Sequence, residues 1–219
     1  AYSGDRTMDL GTERYLAINK FMTQQAFAGC FDAPSLIRTV PRILTHGLTN
    51  VNILDLAPED NTMPRFANFV DFIPRFSTSC AQLIEGVNKN EDPSHTVAWT
   101  IIGSPLATVA MPLVLLPNDK LPETVGRGTT GGSALCRYGL KLKERLFPLR
   151  TKTRSSYIDV AQLVNRKGNG ILQLIRPIED ELMDKGTALV DDLRNEKEGN
   201  KKEGNKKNVY KAFADYYSW

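Results

Sequence analysis

The residue with the clearest chemical potential is Arg14, in the segment Gly11-Thr12-Glu13-Arg14-Tyr15. Thr12 is suited to cap a helix and Glu13 to occupy its first turn, so the pattern predicts a helix that starts here. A cation in the first turn is disfavoured by the helix dipole, which makes Arg14 unexpected unless its guanidinium is used. Two interpretations stay open: Arg14 holds an anionic group, or it forms a salt bridge with Glu13 or Asp9.

A second group of reactive side chains stands in Phe76-Ser77-Thr78-Ser79-Cys80. In an extended strand, Ser77 and Ser79 would point to one side and Thr78 and Cys80 to the other. Nucleophilic catalysis by a hydroxyl or thiol needs an adjacent base, and no His–Asp relay accompanies these residues. The segment therefore predicts a strand with polar alternation rather than an activated nucleophile.

The two histidines and three cysteines show no spacing typical of a metal site. His46 and His95 are far apart in the chain, and no pair of cysteines has the spacing of zinc ligands. We expect His46 to end a helix, where the dipole favours a cation, and His95 to lie in a solvated turn. Cys30, Cys80 and Cys136 are expected to be small buried apolar residues, with a disulfide or a reactive thiol as alternatives.

Two further segments could bind anions. The glycine-rich segment 126–132 precedes a predicted helix, and backbone amides at a helix start can hold an anion, but its spacing matches no phosphate loop. We therefore expect a flexible loop there. The basic stretch that follows is opposed only by Glu144 and predicts a solvated helix face, with weak binding of anions or acidic surfaces as the alternative. It comprises Arg137, Lys141, Lys143, Arg145, Arg150, Lys152 and Arg154.

Caps and apolar periodicity mark the helices that would position these residues. The first helix is predicted from Thr12 to about Ala28, and a second, capped by Asp32 or Ser35, to Thr45. The predicted buried stripe of the first helix is Tyr15, Ile18, Met22 and Ala26. Further helices are predicted at Ser133–Phe147, from Pro177 to about Arg194, and from Asn208 onward.

Between the second and third helices the pattern becomes typical of strands. The predicted strands are Phe69–Ile73, Phe76–Val87, Thr96–Ile102 and Thr108–Leu115. Their short connections predict an antiparallel meander, and several strands are apolar on both faces, so we expect the sheet to be covered on both sides. Later in the chain, Tyr157–Val164 and Ile171–Ile175 predict a β-hairpin, with a helical 157–164 as the alternative.

This order of elements predicts an α+β fold with an antiparallel sheet, in one domain that spans the 219 residues. A tandem repeat, Glu198-Gly199-Asn200-Lys201-Lys202 and its copy, predicts a flexible Lys/Gly/Asn-rich insertion over 196–208. The net charge of +3 argues against nucleic acid as the main partner, and no apolar run approaches the roughly 18 residues that cross a bilayer. The missing initial Met and the aromatic end at Trp219 predict an interior piece of a longer protein.

Several segments, taken in order, resemble the C-terminal part of an N-terminal-nucleophile (Ntn) hydrolase. The branch is that of acyl-coenzyme A:6-aminopenicillanate acyltransferases and linear-amide C–N hydrolases, which is related to choloylglycine hydrolases. The likeness covers most of residues 2–195. It is carried by Tyr2-Ser3-Gly4-Asp5, Gly11-Thr12-Glu13-Arg14-Tyr15, Arg75-Phe76-Ser77-Thr78-Ser79, Glu85-Gly86-Val87, Thr96–Pro105, Val109-Ala110-Met111-Pro112-Leu113, and Asn165–Gly170 followed by Glu179.

The resemblance implies an αββα sandwich, two antiparallel sheets between helical layers, that is incomplete here at its N-terminus. It also implies acyl transfer through a thioester: an N-terminal Cys, exposed by self-cleavage, attacks an amide while its own α-amine serves as the base. Arg14 matches the position of the active-site Arg of that family, and Ser77 and Ser79 would bind substrate. The implied partners are a small-molecule amide and the N-terminal remainder of the same protein, without a cofactor, metal, nucleic acid or membrane; a homo-oligomer is compatible.

The chain also departs from the family pattern. The nucleophilic Cys, its neighbouring Arg and Asp, and the usual Asn before Tyr2-Ser3-Gly4 fall outside these residues, so the chain alone is expected to be inactive. The alternative is a non-catalytic domain of the same architecture that binds a small anion through Arg14 and the basic stretch. A third reading is an unrelated α+β interaction domain. Related bacterial proteins are often exported, which favours an extracytoplasmic protein, but the residues themselves fix neither the compartment nor the acyl and amine groups.

Overall fold

Helices and two small antiparallel sheets make up the computed structural model of the chain, which describes residues 11–29, 31–116, 121–129, 131–149, 157–195 and 203–218. This arrangement confirms the predicted α+β class. The helices are α1 (Thr12–Ala28), α2 (Ala33–Thr39), α3 (Ala134–Leu146), α4 (Val160–Leu163), α5 (Ile171–Asn195) and α6 (Glu203–Tyr217). The strands are β1 (Phe66–Asn68), β2 (Cys80–Glu85), β3 (Val97–Ile102), β4 (Ala110–Val114) and β5 (Tyr157–Asp159).

Helix α1 has the predicted bounds, but its cap and its buried side differ from the prediction. The N-cap is Gly11, whose φ of +95° is left-handed, and no side chain caps the first amides. The predicted stripe is wrong except at the half-buried Met22, because Tyr15, Ile18 and Ala26 are exposed while Ala17 is buried. The reason is the close approach of Gly47, where an added Cβ would lie 1.9 Å from the carbonyl oxygen of Glu13.

Helix α2 is shorter than predicted. The side chain of Asp32 caps it by accepting a hydrogen bond from the amide of Ser35 at 2.7 Å, as one of the two predicted caps. The helix gives way to a short 3-10 turn, Val40–Arg42, instead of running to Thr45. Pro41 lies inside this turn, where its missing N–H cannot continue the α-helical ladder.

The predicted meander is confirmed as a three-stranded antiparallel sheet in the order β2-β3-β4. The other sheet has two strands, in which β1 pairs with β5 so that Phe66 lies opposite Asp159. The predicted strand Phe69–Ile73 is wrong: Phe69 and Phe72 are buried in a turn, where their rings stack 4.6 Å apart. A segment rich in aromatic and β-branched residues was predicted as a strand, although here such residues are buried in a turn.

The two faces of the three-stranded sheet are covered unequally. The face that contains Trp99 is buried and packs under α5, where Gly186 lies against the ring of Pro112. On the opposite face Met111 is buried, but Ile84 is 59% exposed. The expectation that both faces are covered therefore holds for β4 and fails for β2.

The outer edge of β4 is closed by groups from the C-terminal helices. The amide of Ala110 donates to Oε1 of Glu179 at 2.6 Å, and the amide of Val114 donates to the hydroxyl of Tyr217 at 2.9 Å. Between them, Pro112 has no N–H to offer. Every outward N–H position of this strand is thus either bonded or absent, so no further strand can pair there.

The outer edge of β2 has a different character. The amide of Gly103 donates to the carbonyl oxygen of Ser79 at 3.0 Å, which makes these residues a hydrogen-bonded pair of the antiparallel ladder. By alternation, the backbone groups of Cys80, Gln82 and Ile84 face outward. Among the residues that the structure describes, none pairs with this edge.

The predicted β-hairpin over 157–175 is wrong. Tyr157–Asp159 is a strand that pairs with β1, the next four residues form α4, and Ile171 opens the long helix α5. Pro177 accordingly lies inside α5 rather than at its start. Ile171, Leu172 and Ile175 are buried together along one side of the helix, and this short apolar run did not distinguish a buried helix from a strand.

Helix α3 follows its prediction, since Ser133 caps it by accepting from the amide of Cys136 at 3.1 Å. Helix α6 begins at Glu203 rather than at Asn208, so the backbone is helical within part of the predicted insertion. Residues 196–202 lie outside the described ranges. The end of α6 packs into the core through Phe213 and Tyr217.

Candidate functional site

Arg14 lies on the half-buried side of α1 and pairs with a carboxylate from a distant loop. Its Nη1 donates to Oδ1 of Asp71 at 2.7 Å, and both side chains keep part of their surface exposed. Asp71 has a left-handed φ of +65°, a conformation that is uncommon for a residue with a side chain. The partner is therefore Asp71 and not Glu13, while Asp9 lies outside the described residues.

Ser77 and Ser79 are exposed in the turn that leads into β2. The amide of Arg75 donates to Oγ1 of Thr78 at 3.0 Å, and the amide of Thr78 donates back to the carbonyl of Arg75. This local turn delays the strand to Cys80, where the sequence predicted it from Phe76. No hydrogen bond or ion pair among the described residues joins either serine to Arg14.

The cysteines and histidines do not assemble into a reactive centre. Cys80 is an exposed free thiol, which corrects the expectation that it is buried, and Cys136 is half-buried and free; Cys30 lies outside the described residues. His46 is not at a helix end: its Nδ1 accepts from the amides of Leu48 and Thr49, at 3.3 and 3.2 Å. His95 lies in a short 3-10 turn. Within the described ranges, no group of three His, Cys, Asp or Glu could hold a metal ion.

A buried ion pair that the sequence reasoning missed joins α5 to the turn after α2. Nη1 and Nη2 of Arg42 donate to the two carboxylate oxygens of Glu179, at 2.7 and 2.6 Å. Both side chains are almost fully buried. Arg38 adds a longer contact of 3.4 Å to Glu179 and an ion pair with Asp180.

The remaining donors of Arg42 are also satisfied. Its Nε donates to the carbonyl of Pro105 at 2.6 Å, and its Nη2 to the carbonyl of Thr108 at 2.8 Å. A guanidinium with bonds of this kind on every side stabilises the structure and has no position left for a ligand. The signal in the sequence was Glu179 itself, a charge that stands on the apolar face of α5.

The described residues of the segment 126–132 form hydrogen bonds with one another and with Glu123. The amide of Gly128 donates to the carbonyl of Gly132 at 3.2 Å, and the amide of Gly131 donates to the carbonyl of Gly128 at 3.0 Å. The carboxylate of Glu123 accepts from the amide of Thr129 at 3.1 Å. The amides at the start of α3 are also engaged, since those of Ala134 and Leu135 donate to the carbonyls of Glu123 and Thr124, at 2.9 and 3.1 Å. The donors considered for an external anion therefore already have partners within the protein.

Part of the basic stretch is engaged with the protein. Nζ of Lys143 donates to the carbonyl of Phe76 at 3.1 Å and lies 4.7 Å from the centre of its ring. Arg145 donates to Gln162 at 2.8 Å. Residues 150–156, which include Arg150, Lys152 and Arg154, lie outside the described residues.

An apolar pocket of about 240 Å³ opens between α3 and α5. Three of the hydroxyl groups in its lining bond to the backbone: the Tyr216 hydroxyl donates to the carbonyl of Leu182, the Thr108 hydroxyl donates to the carbonyl of Ser104, and the Tyr217 hydroxyl accepts from the amide of Val114. The interior therefore offers methyl groups and ring faces. The lining residues are Ala107, Thr108, Val109, Met111, Thr124, Leu135, Tyr138, Gly139, Leu142, Ile175, Ile178, Leu182, Tyr216 and Tyr217.

The mouth of this pocket combines apolar and cationic groups. Tyr138 on α3 and Ile178 on α5 both line the pocket while being 60% and 46% exposed. The guanidinium carbon of Arg137 lies 5.9 Å from the ring centre of Tyr138, and Nζ of Lys141 lies 5.7 Å from it. A ligand that enters past Tyr138 would meet positive charge first and hydrocarbon next.

Comparisons with known protein families, with curated proteins and with solved structures find no match to this chain. In the part of the chain that the structure describes, no helix combines the length and the apolar character needed to cross a bilayer. Similarity thus assigns neither a family nor a relative, and the function is inferred from the residues and their geometry.

Proposed function

We propose that the chain is the C-terminal portion of a cysteine amidohydrolase or acyltransferase that acts on C–N amide bonds of small molecules or small peptides. Its nucleophile, as the resemblance to Ntn hydrolases implies, would stand N-terminal to Tyr2. The observation that carries the proposal is Arg14, a half-buried guanidinium held by Asp71 at 2.7 Å. Acyl transfer develops negative charge on the carbonyl oxygen, and a fixed cation next to that oxygen lowers the barrier.

Asp71 gives Arg14 a defined orientation. A carboxylate at one terminal nitrogen restricts the rotamers of the arginine, so less entropy is lost when the other N–H groups bind an anion. The left-handed backbone of Asp71 is consistent with a residue held in place by its surroundings for this contact. Ser77 and Ser79, exposed ahead of β2, would supply hydroxyl donors to the substrate.

The exposed part of one sheet face, on β2, supports the layered architecture that this function implies. Helix α5 covers one face, while Ile84 is exposed on the opposite face of β2. Tyr15 and Ile18 on α1 are also exposed apolar side chains. A second sheet packed roughly 10 Å away would cover such a face, as in an αββα sandwich.

The test uses the protein produced from its complete coding sequence and a set of N-acyl amides with a chromogenic amine. Arg14→Ala should lower kcat/KM tenfold or more, because the oxyanion loses its cation, while far-ultraviolet circular dichroism stays unchanged. The kcat/KM of Arg14→Lys should lie between those of the wild-type protein and Arg14→Ala, since lysine keeps the charge and lacks the planar guanidinium. The matched control is Arg166→Ala, whose exposed ion pair with Glu59 lies on another loop.

Two results would contradict the proposal. One is unchanged turnover in Arg14→Ala; the other is a wild-type protein that carries a processed N-terminal Cys and hydrolyses none of the amides. Binding of a small carboxylate without turnover, lost in Arg14→Ala, would instead support the non-catalytic alternative, an anion-binding domain of the same architecture.

A further inference from the structure

We propose that the pocket between α3 and α5 binds a medium-length alkyl or aryl chain with an anionic head group, the chain inside the pocket and the head beside Tyr138. This site is separate from the one proposed for acyl transfer, because none of its lining residues belongs to α1 or to the segment of Asp71, Ser77 and Ser79. It does not depend on that function.

The volume of the pocket sets the length of the chain. An engineered protein cavity of about 150 Å³ lined by aliphatic and aromatic side chains binds benzene, which has six carbon atoms. By proportion, the 240 Å³ observed here has room for about ten carbon atoms. That is the size of a medium-chain acyl group or of a phenylalkyl group.

The lining decides the polarity of the buried part of the ligand. The hydroxyls of Tyr216 and Thr108 bond to backbone carbonyls, and that of Tyr217 accepts from the amide of Val114. A polar group pushed into this space would lose its water and find few partners, whereas methylene groups gain roughly 0.8 kcal/mol each on burial. The interior therefore selects hydrocarbon.

The mouth decides the charge of the head group. Arg137 and Lys141 both hold their cations within 6 Å of the Tyr138 ring centre. The acidic residues of α5 beside Ile178 already have cationic partners, since Asp180 pairs with Arg38 and Glu181 pairs with Lys185. Lys141 thus adds a positive charge beside Tyr138, which favours a carboxylate over an ammonium group.

The decisive experiment compares three ligands of equal chain length on the 219-residue chain by isothermal titration calorimetry: octanoate, 1-octanol and octyltrimethylammonium. All three are used in the millimolar range, where they are monomeric. We expect octanoate to bind one to one, and at least tenfold more tightly than octyltrimethylammonium. Equal affinity for the two ions, or no binding of octanoate, would overturn the proposal.

Variants then locate the site. Lys141→Gln should weaken octanoate at least threefold and leave 1-octanol within twofold, because the head group loses a cation that an uncharged alcohol does not need. Ile178→Trp should weaken both ligands at least tenfold by closing the mouth. Its control is Leu174→Trp, one turn earlier on α5, where Leu174 is 57% exposed and does not line the pocket.

Unchanged octanoate affinity in Ile178→Trp would place the binding elsewhere and refute the site. Because Ile178 is half exposed, the larger side chain is expected to be accommodated, which circular dichroism and the unfolding temperature check directly. The comparison of the three ligands on the unmodified chain decides the charge preference even if a variant fails to fold.

Discussion

Glu179 shows how a carboxylate is accommodated in the core of this protein. Its two oxygens accept from Arg42, Arg38 and the amide of Ala110, so the charge is both paired and hydrogen-bonded. Burial of a single unpaired charge would be prohibitive, and burial of a pair is tolerated only when all of its donors and acceptors are satisfied. Glu179 and Arg42 therefore depend on each other.

We predict that Glu179→Gln destabilises the protein by about 3–5 kcal/mol, because it leaves the Arg42 charge buried without its counterion. Urea unfolding followed by circular dichroism measures this change. The control is Arg166→Met, whose ion pair is exposed and should change the free energy of unfolding by less than about 1 kcal/mol.

The double variant Arg42→Met/Glu179→Leu should cost much less than the sum of the two single variants, since it removes both charges together. Additive losses would mean that the two side chains contribute independently. That result would contradict the mutual dependence inferred from their distances of 2.6 and 2.7 Å.

The sequence indicated that Arg14 is an unusual residue but did not indicate its partner. Asp71 lies 57 positions further along the chain, in a loop whose path depends on the burial of Phe69 and Phe72. The pair of Arg42 and Glu179 spans 137 positions and was missed for the same reason. Local patterns indicate that a charge needs a partner, and only the tertiary structure supplies it.

Among the elements, α3 approaches the turn before β4 so closely that one side-chain carbon decides the fit. A Cβ added at Gly139 would lie 2.1 Å from Cγ2 of Thr108 and 3.5 Å or more from every other neighbouring heavy atom outside the helix. The absence of a side chain at Gly139 therefore sets the spacing between helix and turn. Glycine is a poor helix former, so packing and not propensity explains its place in mid-helix.

We predict that Gly139→Ala lowers the free energy of unfolding by roughly 1–3 kcal/mol through overpacking, although alanine favours the helix. In a Thr108→Ser background, which removes the methyl and keeps the hydroxyl bond to Ser104, the same change should be neutral or stabilising. Gly86→Ala, with nothing within 4 Å of its added Cβ, is the matched control. Equal losses in both backgrounds would contradict the contact.

The elements themselves were predicted with uneven success, for physical reasons. The cap Ser133 located α3, and strand-forming residues between short turns located β3 and β4. The bounds of α1 were predicted correctly although its cap and its buried side were not. The strand β5 was misassigned to a hairpin because its partner, β1, lies about 90 positions earlier in the chain. The start of α5 was missed because Ile171–Ile175 is a short apolar run that fits a buried helix and a buried strand equally well.

Two buried tyrosines, Tyr216 and Tyr217, attach the C-terminal helix α6 to the rest of the protein. Burial raises the pKa of Tyr216, with a smaller contribution from the neighbouring Tyr217, and burial also raises the pKa of Tyr217. The unfolded chain ionises its tyrosines near pH 10. Above that pH the unfolded state releases protons that the folded state retains, so the stability from these groups is present below pH 10 and is lost as the pH rises.

We therefore predict that the free energy of unfolding falls as the pH rises above 10, by up to about 1.4 kcal/mol per pH unit for each buried phenol. Urea unfolding at several values between pH 8 and 11 measures this slope. The double variant Tyr216→Phe/Tyr217→Phe should reduce the slope, although its stability at pH 8 falls because two hydrogen bonds are lost. Tyr138→Phe, at an exposed position, should leave the slope as it is; the same slope in all three proteins would contradict the prediction.

The unequal edges of the three-stranded sheet limit how copies of this chain can add to one another through that sheet. A fibre grows only if each added unit presents a new edge after it has paired. Here β4 offers no free N–H, since Glu179, Pro112 and Tyr217 close it, and only β2 remains able to pair. If two copies paired edge to edge through β2, each would occupy the open edge of the other. This mode of association therefore stops at a dimer and cannot propagate.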